Sequence, residues 1–284
     1  MLQLLFASFV TLAFAFACVP KLSGSKKDKN DKASVATEKP VLLPPESSDL
    51  TKFKKRLMPI EKLFDQKSPY IKTMTVSMSL LSQSYDLSRN DSPVRDQGDR
   101  GTCTAFGLLA TIENMISVQY SKKFDLSEEQ LWSVYNQGDT DFAFWAASNL
   151  KITTEDAWPY GNKAPVNLGV GVVSLTSVTQ LDEKGVLNGI ANLGFPVMFV
   201  TQVTKAWQSV KSDGIIDAND NDLLGAHAMA LVGIMIDSSA PGGGWYKIKN
   251  SWSELWGDKG YGYLPLNYCE KFKCQAWGIS YQHY

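Results

Sequence analysis

Gly101-Thr102-Cys103-Thr104-Ala105-Phe106-Gly107-Leu108-Leu109-Ala110-Thr111-Ile112-Glu113-Asn114-Met115-Ile116 is the stretch on which the reading of this chain turns. Ala105, Leu108, Leu109, Ile112, Met115 and Ile116 recur at offsets of three and four, so a buried helix is predicted from Gly101 to Tyr120. Cys103 falls in its first turn, where unpaired backbone N–H groups and the helix dipole favour negative charge and so favour a thiolate. Taken alone, the same cysteine reads rather as a small core residue.

Outward from this helix, Ser127 followed by Gln130 makes a capping-box pattern that opens a second helix. Further on, residues 197–203, 228–236 and 245–249 are rich in Val, Ile, Met and Phe between Gly, Pro and Asp signals, and read as strands. A helical first half and a sheet-forming second half predict an α+β domain with its two parts segregated. The chain has only two histidines, His227 and His283. His283 adjoins the C-terminus, whereas His227 heads an apolar strand whose alternation would hold the imidazole on one face. A histidine in such a strand also serves as an ordinary packed residue, and Asn250, 23 residues on, reads by itself as a turn residue.

The 284 residues are 44% apolar and 20% charged, enough for one globular domain with an unstructured flank. Residues 21–62 carry 11 Lys/Arg against 6 Asp/Glu, leaving 17 against 23 over residues 63–284. That mildly acidic body lacks the basic stripe nucleic-acid binding needs. Residues 1–18 read as a signal peptide; cleavage is expected either after a small-residue pair or before Cys18, the second option lipidating Cys18 and tethering the chain to a membrane. The chain is therefore expected to be exported.

Residues 19–82 read as a disordered linker or short pro-segment, and residues 83–284 as the folded domain. Within the linker, Leu50, Phe53, Leu57, Ile60 and Phe64 follow helical spacing interrupted by Pro59, fitting either a partly helical spacer or a docked inhibitory segment. Cys269 and Cys274 are either a disulfide closing a small loop or two free thiols. The acidic loop from Asp213 to Asp222 fails the EF-hand template, with Asp222 where glycine and Ala228 where glutamate should stand, so it reads as a solvated loop and no metal is expected. Placed near a cleft, that loop would favour basic substrates.

Ser92-Pro93-Val94-Arg95-Asp96-Gln97-Gly98-Asp99-Arg100-Gly101-Thr102-Cys103 resembles the active-site segment of papain-like cysteine peptidases. Gly225-Ala226-His227-Ala228-Met229 is similar to that family's histidine strand, and Lys249-Asn250-Ser251-Trp252-Ser253-Glu254-Leu255-Trp256-Gly257 to its asparagine segment. Leu126-Ser127-Glu128-Glu129-Gln130-Leu131, Glu155-Asp156-Ala157-Trp158-Pro159-Tyr160 and Gly194-Phe195-Pro196-Val197 agree in the same order. The Cys103 to His227 and Cys103 to Asn250 spacings, 124 and 147 residues, lie close to those noted for this arrangement.

The resemblance implies a two-lobed domain, a helical left lobe against an antiparallel β-barrel-like right lobe, with the active site in the cleft between them. It implies Cys103 as nucleophile, His227 as acid/base, Asn250 orienting His227, Gln97 lining the oxyanion hole, and Trp252 covering the histidine–asparagine bond. It implies peptide or protein substrates, no cofactor and a monomer. A silent scaffold of the same fold, or a thiol acyltransferase or amidase on the same triad, are the alternatives. Three departures stand out: Arg100 replaces a disulfide cysteine, the substrate-backbone glycine pair is reduced in residues 136–142, and Ser253 replaces a glycine.

Overall fold

The structure, a computed structural model, describes residues 49–60, 83–135 and 140–284. The signal segment, Cys18 and residues 136–139 lie outside the described residues. The helix signalled by the three-four spacing is α2 (Cys103–Tyr120), which ends where Ser121 turns into the left-handed region at φ 53°. It is buried on more than its apolar side, since Thr104, Glu113 and Asn114 are enclosed as well. α3 (Glu128–Tyr135) and α4 (Thr140–Asn149) pack beside it. Half of the expected capping box forms: Ser127 Oγ accepts from the Gln130 N–H at 3.1 Å. The Gln130 side chain instead accepts from the Thr153 N–H, tying the helix to the following loop.

The second half supplies an antiparallel sheet in the order β2 (Val173–Leu181), β7 (Cys274–His283), β3 (Val197–Thr204), β4 (Leu223–Ile236), β5 (Gly244–Lys249), β6 (Tyr261–Pro265), with β1 (Tyr85–Asp86) on β4. β3 and β4 are buried on both faces, which explains their nearly unbroken apolar runs. Strand alternation assigns their residues to two cores. Val197, Phe199, Met229 and Leu231 join Trp207, Tyr246, Ile248, Trp252 and Trp256 in one. Met198, Val200, Ala226 and Ala228 join the apolar side chains of α2, α3 and α4 in the other. The small side chains of Ala226 and Ala228 leave room for α2 to lie against β4. Gly107 marks the tightest approach: a Cβ there would lie 2.8 Å from the Met229 nitrogen. Cys269, in the short helix α5 (Tyr268–Lys271), and Cys274 are disulfide-bonded with Cα atoms 5.5 Å apart.

A strap, residues 49–60, lies across both cores. Asp49 caps α1 (Leu50–Arg56) by accepting from the Thr51 and Lys52 N–H groups. Phe53 and Leu57 bury in the sheet-side core and Met58 in the helix-side core. Each such side chain contributes about 1.5–3 kcal/mol through the apolar surface it removes from water. The backbone of Met58 exchanges two hydrogen bonds with Ala226, at 3.0 and 3.1 Å.

Candidate active site

β4 carries His227 on the face of Met229 and Leu231, where its ring is fully buried between Trp252, 4.5 Å between centroids, and Trp207, 6.5 Å. Asn250 follows the end of β5, and its Oδ1 accepts from the Ser251 N–H at 2.8 Å, which fixes the amide orientation. The same oxygen lies 2.7 Å from His227 Nε2, so that nitrogen must donate. The proton on Nε2 leaves Nδ1 as a buried acceptor without a hydrogen-bond partner. The Trp252 ring lies tilted against the His227 ring, at 31° between planes.

α2 delivers Cys103 from the opposite side. Its sulfur is fully buried against the backbone N–H of Ala228, the neighbour of His227 on β4, and against the N–H groups of Thr104 and Cys103 at the helix start. Burial nevertheless dominates and pushes the thiol up to about 12, while those N–H groups pull it down by less. His227 is driven the other way, to about 4, by burial first; the Asn250 hydrogen bond opposes this and the charge of Arg56 adds to it. Burial thus favours the protonated thiol and the neutral imidazole, against the pull of the helix start on the sulfur.

Gln97 completes the cluster. Its Oε1 accepts from Ser251 Oγ at 2.6 Å, and its Nε2 donates to the carbonyls of Arg100 at 2.7 Å and Arg56 at 3.0 Å. The strap thus places a peptide carbonyl on the amide that the resemblance assigns to the oxyanion hole. Gly225, one residue before Ala226, lets it pass, since a Cβ there would lie 2.9 Å from the Met58 carbonyl oxygen.

Two of the departures acquire physical explanations. Arg100, in place of a disulfide cysteine, forms a forked pair with Glu129 at 2.6 and 3.1 Å and lies 4.7 Å over the Tyr160 ring. It therefore ties the loop before Cys103 to α3 by charge. Ser253 sits at φ 69°, a region a glycine enters without cost and a serine does not. The third departure falls mostly on residues 136–139.

Sequence reasoning missed Trp207, which packs against His227, Trp252 and Trp256, and Ser251, which anchors Gln97. Neither bears a spacing signal; the sheet alone brings them in. His283 packs with Tyr120 and Phe124 and does not take part. In the acidic loop Asp213, Asp217 and Asp220 each accept from a backbone N–H two residues on, which turns them into their own loop. Among the described residues no cluster of metal-ligating side chains occurs.

The model of the family described as "Papain family cysteine protease" matches residues 81–277. A thiol protease named aleurain, from Arabidopsis thaliana, is 30% identical over 207 residues, 66% of this chain and 57% of that protein. This chain thus spans little more than half the length of that relative. Among solved structures, xylellain, a cysteine protease from Xylella fastidiosa, matches with a TM-score of 0.60 at 21% identity, covering 79% of this chain and 94% of that one. Digestive procathepsin L 3 from the larval midgut of Tenebrio molitor matches with a TM-score of 0.58 at 22% identity, covering 81% and 79%. These two share the two-part α+β fold, and the match over residues 81–277 places this chain in the papain family of cysteine proteases.

Proposed function

We propose that the chain is a cysteine peptidase held closed by its own residues 49–60. The observation that carries this reading is the 2.7 Å bond from His227 Nε2 to Asn250 Oδ1, which leaves Nδ1 an unpartnered acceptor beside the strand that meets the Cys103 sulfur. With the strap displaced, the thiol proton passes to Nδ1 and the thiolate attacks the scissile carbonyl. The carbonyl oxygen takes the negative charge, accepting from Gln97 Nε2 and the Cys103 N–H. The Nδ1 proton then goes to the departing amine, and His227 removes a proton from the water that releases the acid and restores the thiol. Asn250 keeps one tautomer throughout, and no step needs a metal or organic cofactor.

The strap supports an inhibitory role for this part of residues 19–82, the catalytic domain being residues 83–284. It lies against Gly101 just before Cys103 and sets Phe53 5.0 Å from the Trp252 ring that packs on His227, satisfies Gln97 with the Arg56 carbonyl and adds a cation near the imidazole. The substrates are peptides or unfolded proteins, met by a monomer outside the cytoplasm after export on residues 1–18, either free or tethered through a lipid on Cys18. Among the described residues no helix is long and apolar enough to cross a membrane.

The test is labelling of the full chain by an epoxide that reacts only with activated thiols, combined with peptide hydrolysis. Phe53→Ala with Leu57→Ala should raise both rates on the order of tenfold or more, and Cys103→Ala should abolish both. No labelling of the strap-loosened chain in reducing buffer at neutral pH would leave a silent scaffold. Aminolysis in place of hydrolysis when an amine is added would make it an acyltransferase.

A further inference from the structure

We infer that Asp96 and Asp99 form an acidic subsite that selects a Lys or Arg side chain on the leaving-group side of the scissile bond. This deepens the peptidase reading and rests on it.

The occupant of the cleft supplies the template. Arg56 presents its carbonyl to Gln97 and reaches back with its guanidinium, Nη1 3.9 Å from Asp96 and Nε 3.8 Å from Asp99. Nearby charges are already committed: Arg95 pairs with Asp125, and Arg100 with Glu129. When the strap leaves, the nucleophile loop therefore keeps two half-exposed carboxylates whose cation has gone.

Their place relative to the chemistry sets the side of the bond. Asp96 forms a backbone bridge with Trp252, whose ring covers His227, the group that hands a proton to the departing amine. A side chain that reaches Asp96 belongs to the first or second residue of that amine fragment. Arg56 itself closes α1, so its carbonyl comes from a helical turn and not from the extended backbone a peptidase cleft takes up. The strap thus uses the charge preference without being cut as a substrate. Asp96 Oδ1 also accepts from the Gly98 N–H at 2.9 Å, which holds that carboxylate in place on its loop.

The test uses the full chain loosened by Phe53→Ala and Leu57→Ala, with peptides that differ only in the two residues after the scissile bond. Half-exposed charge pairs of this kind predict kcat/KM about 5- to 30-fold higher for Lys or Arg than for Ala, shrinking as salt rises from 50 to 500 mM. Asp96→Asn with Asp99→Asn keeps the hydrogen-bond acceptors and should bring the ratio within about twofold of unity. Asp96→Lys with Asp99→Lys should turn the preference toward acidic residues, an outcome loss of folding does not produce. A ratio untouched by the paired Asn change, or a basic preference confined to the other side of the bond, overturns the subsite. Epoxide titration separates the two ideas: chains that do not label defeat the peptidase reading, and chains that label and cleave without charge preference defeat only the subsite.

Discussion

If residues 49–60 close the site as proposed, His227 titrates against the strap. Closed, it is held to about 4, chiefly by burial and further by Arg56; released into water, it returns toward 6.5. Between these values the open form binds more protons than the closed one. The closed form therefore keeps its full advantage above about pH 6.5 and loses it as pH falls toward 4. The expected outcome is a ratio of epoxide labelling rates, Phe53→Ala/Leu57→Ala over wild type, that is largest at pH 7 and approaches one near pH 4. A ratio flat across that range contradicts the linkage. Asn250 acts on the same ring. Asn250→Ala frees the imidazole to rotate and to change tautomer, and should lower kcat/KM on the order of 10- to 1,000-fold, mostly through kcat, as steady-state kinetics will read.

Between elements, the decisive contact is α2 on β4, because they carry Cys103 and His227, the two groups proposed to react. Gly107 lets the helix backbone approach the strand, and any larger side chain must push them apart against Met229 and Ala228 backbone atoms. Gly107→Val is expected to cost at least about 2 kcal/mol in denaturant unfolding, since overpacking against backbone relaxes poorly. It should also slow thiol labelling even in the strap-loosened chain. At Gly225 the clash is with the strap, at the Met58 carbonyl and the Leu57 side chain. Gly225→Ala should therefore expose the Cys103 thiol, seen as faster labelling at neutral pH in an otherwise wild-type chain.

Across the whole molecule, the two cores meet over an unusual set of buried acids. Glu113 accepts from Ser92 Oγ and from the Leu126 N–H at 2.7 Å, while Lys249 Nζ donates to Ser92 O and Oγ nearby. Glu128, also buried, leaves one carboxylate oxygen without a partner, and its carboxyl is raised well above the usual range by burial first and then by Glu113 and Glu155. A raised acid binds its proton more tightly when folded, so this contribution is present below about pH 4.5 and is lost as pH rises through the folded value. Glu128→Gln replaces a carboxyl that favours its neutral form with a neutral amide. It is expected to flatten the fall of Tm between pH 5 and 8 and to raise Tm at pH 8, as calorimetry across that range will show. An unchanged slope would mean that Glu128 keeps its charge in the folded chain.

Much of the fold was legible because periodicity and burial coincide. The offsets of three and four over Ala105, Leu108, Leu109 and Ile112 set α2, and the apolar runs around Phe199 and Met229 set central strands buried on both sides. β2 and β7 were not read, because β2 alternates weakly and both owe their place to pairing with each other across about a hundred residues. The residue types at Cys103, His227 and Asn250, with their order along the chain, determined which chemistry was available. Which protonation is favoured was decided only by the tertiary structure, since burial of Cys103 and His227 outweighs the helix start and the Asn250 bond. So too was the strap's position over Gln97: helical spacing in residues 50–57 does not say what the helix packs against, and that depends on two cores and on Gly225, brought together from distant parts of the chain.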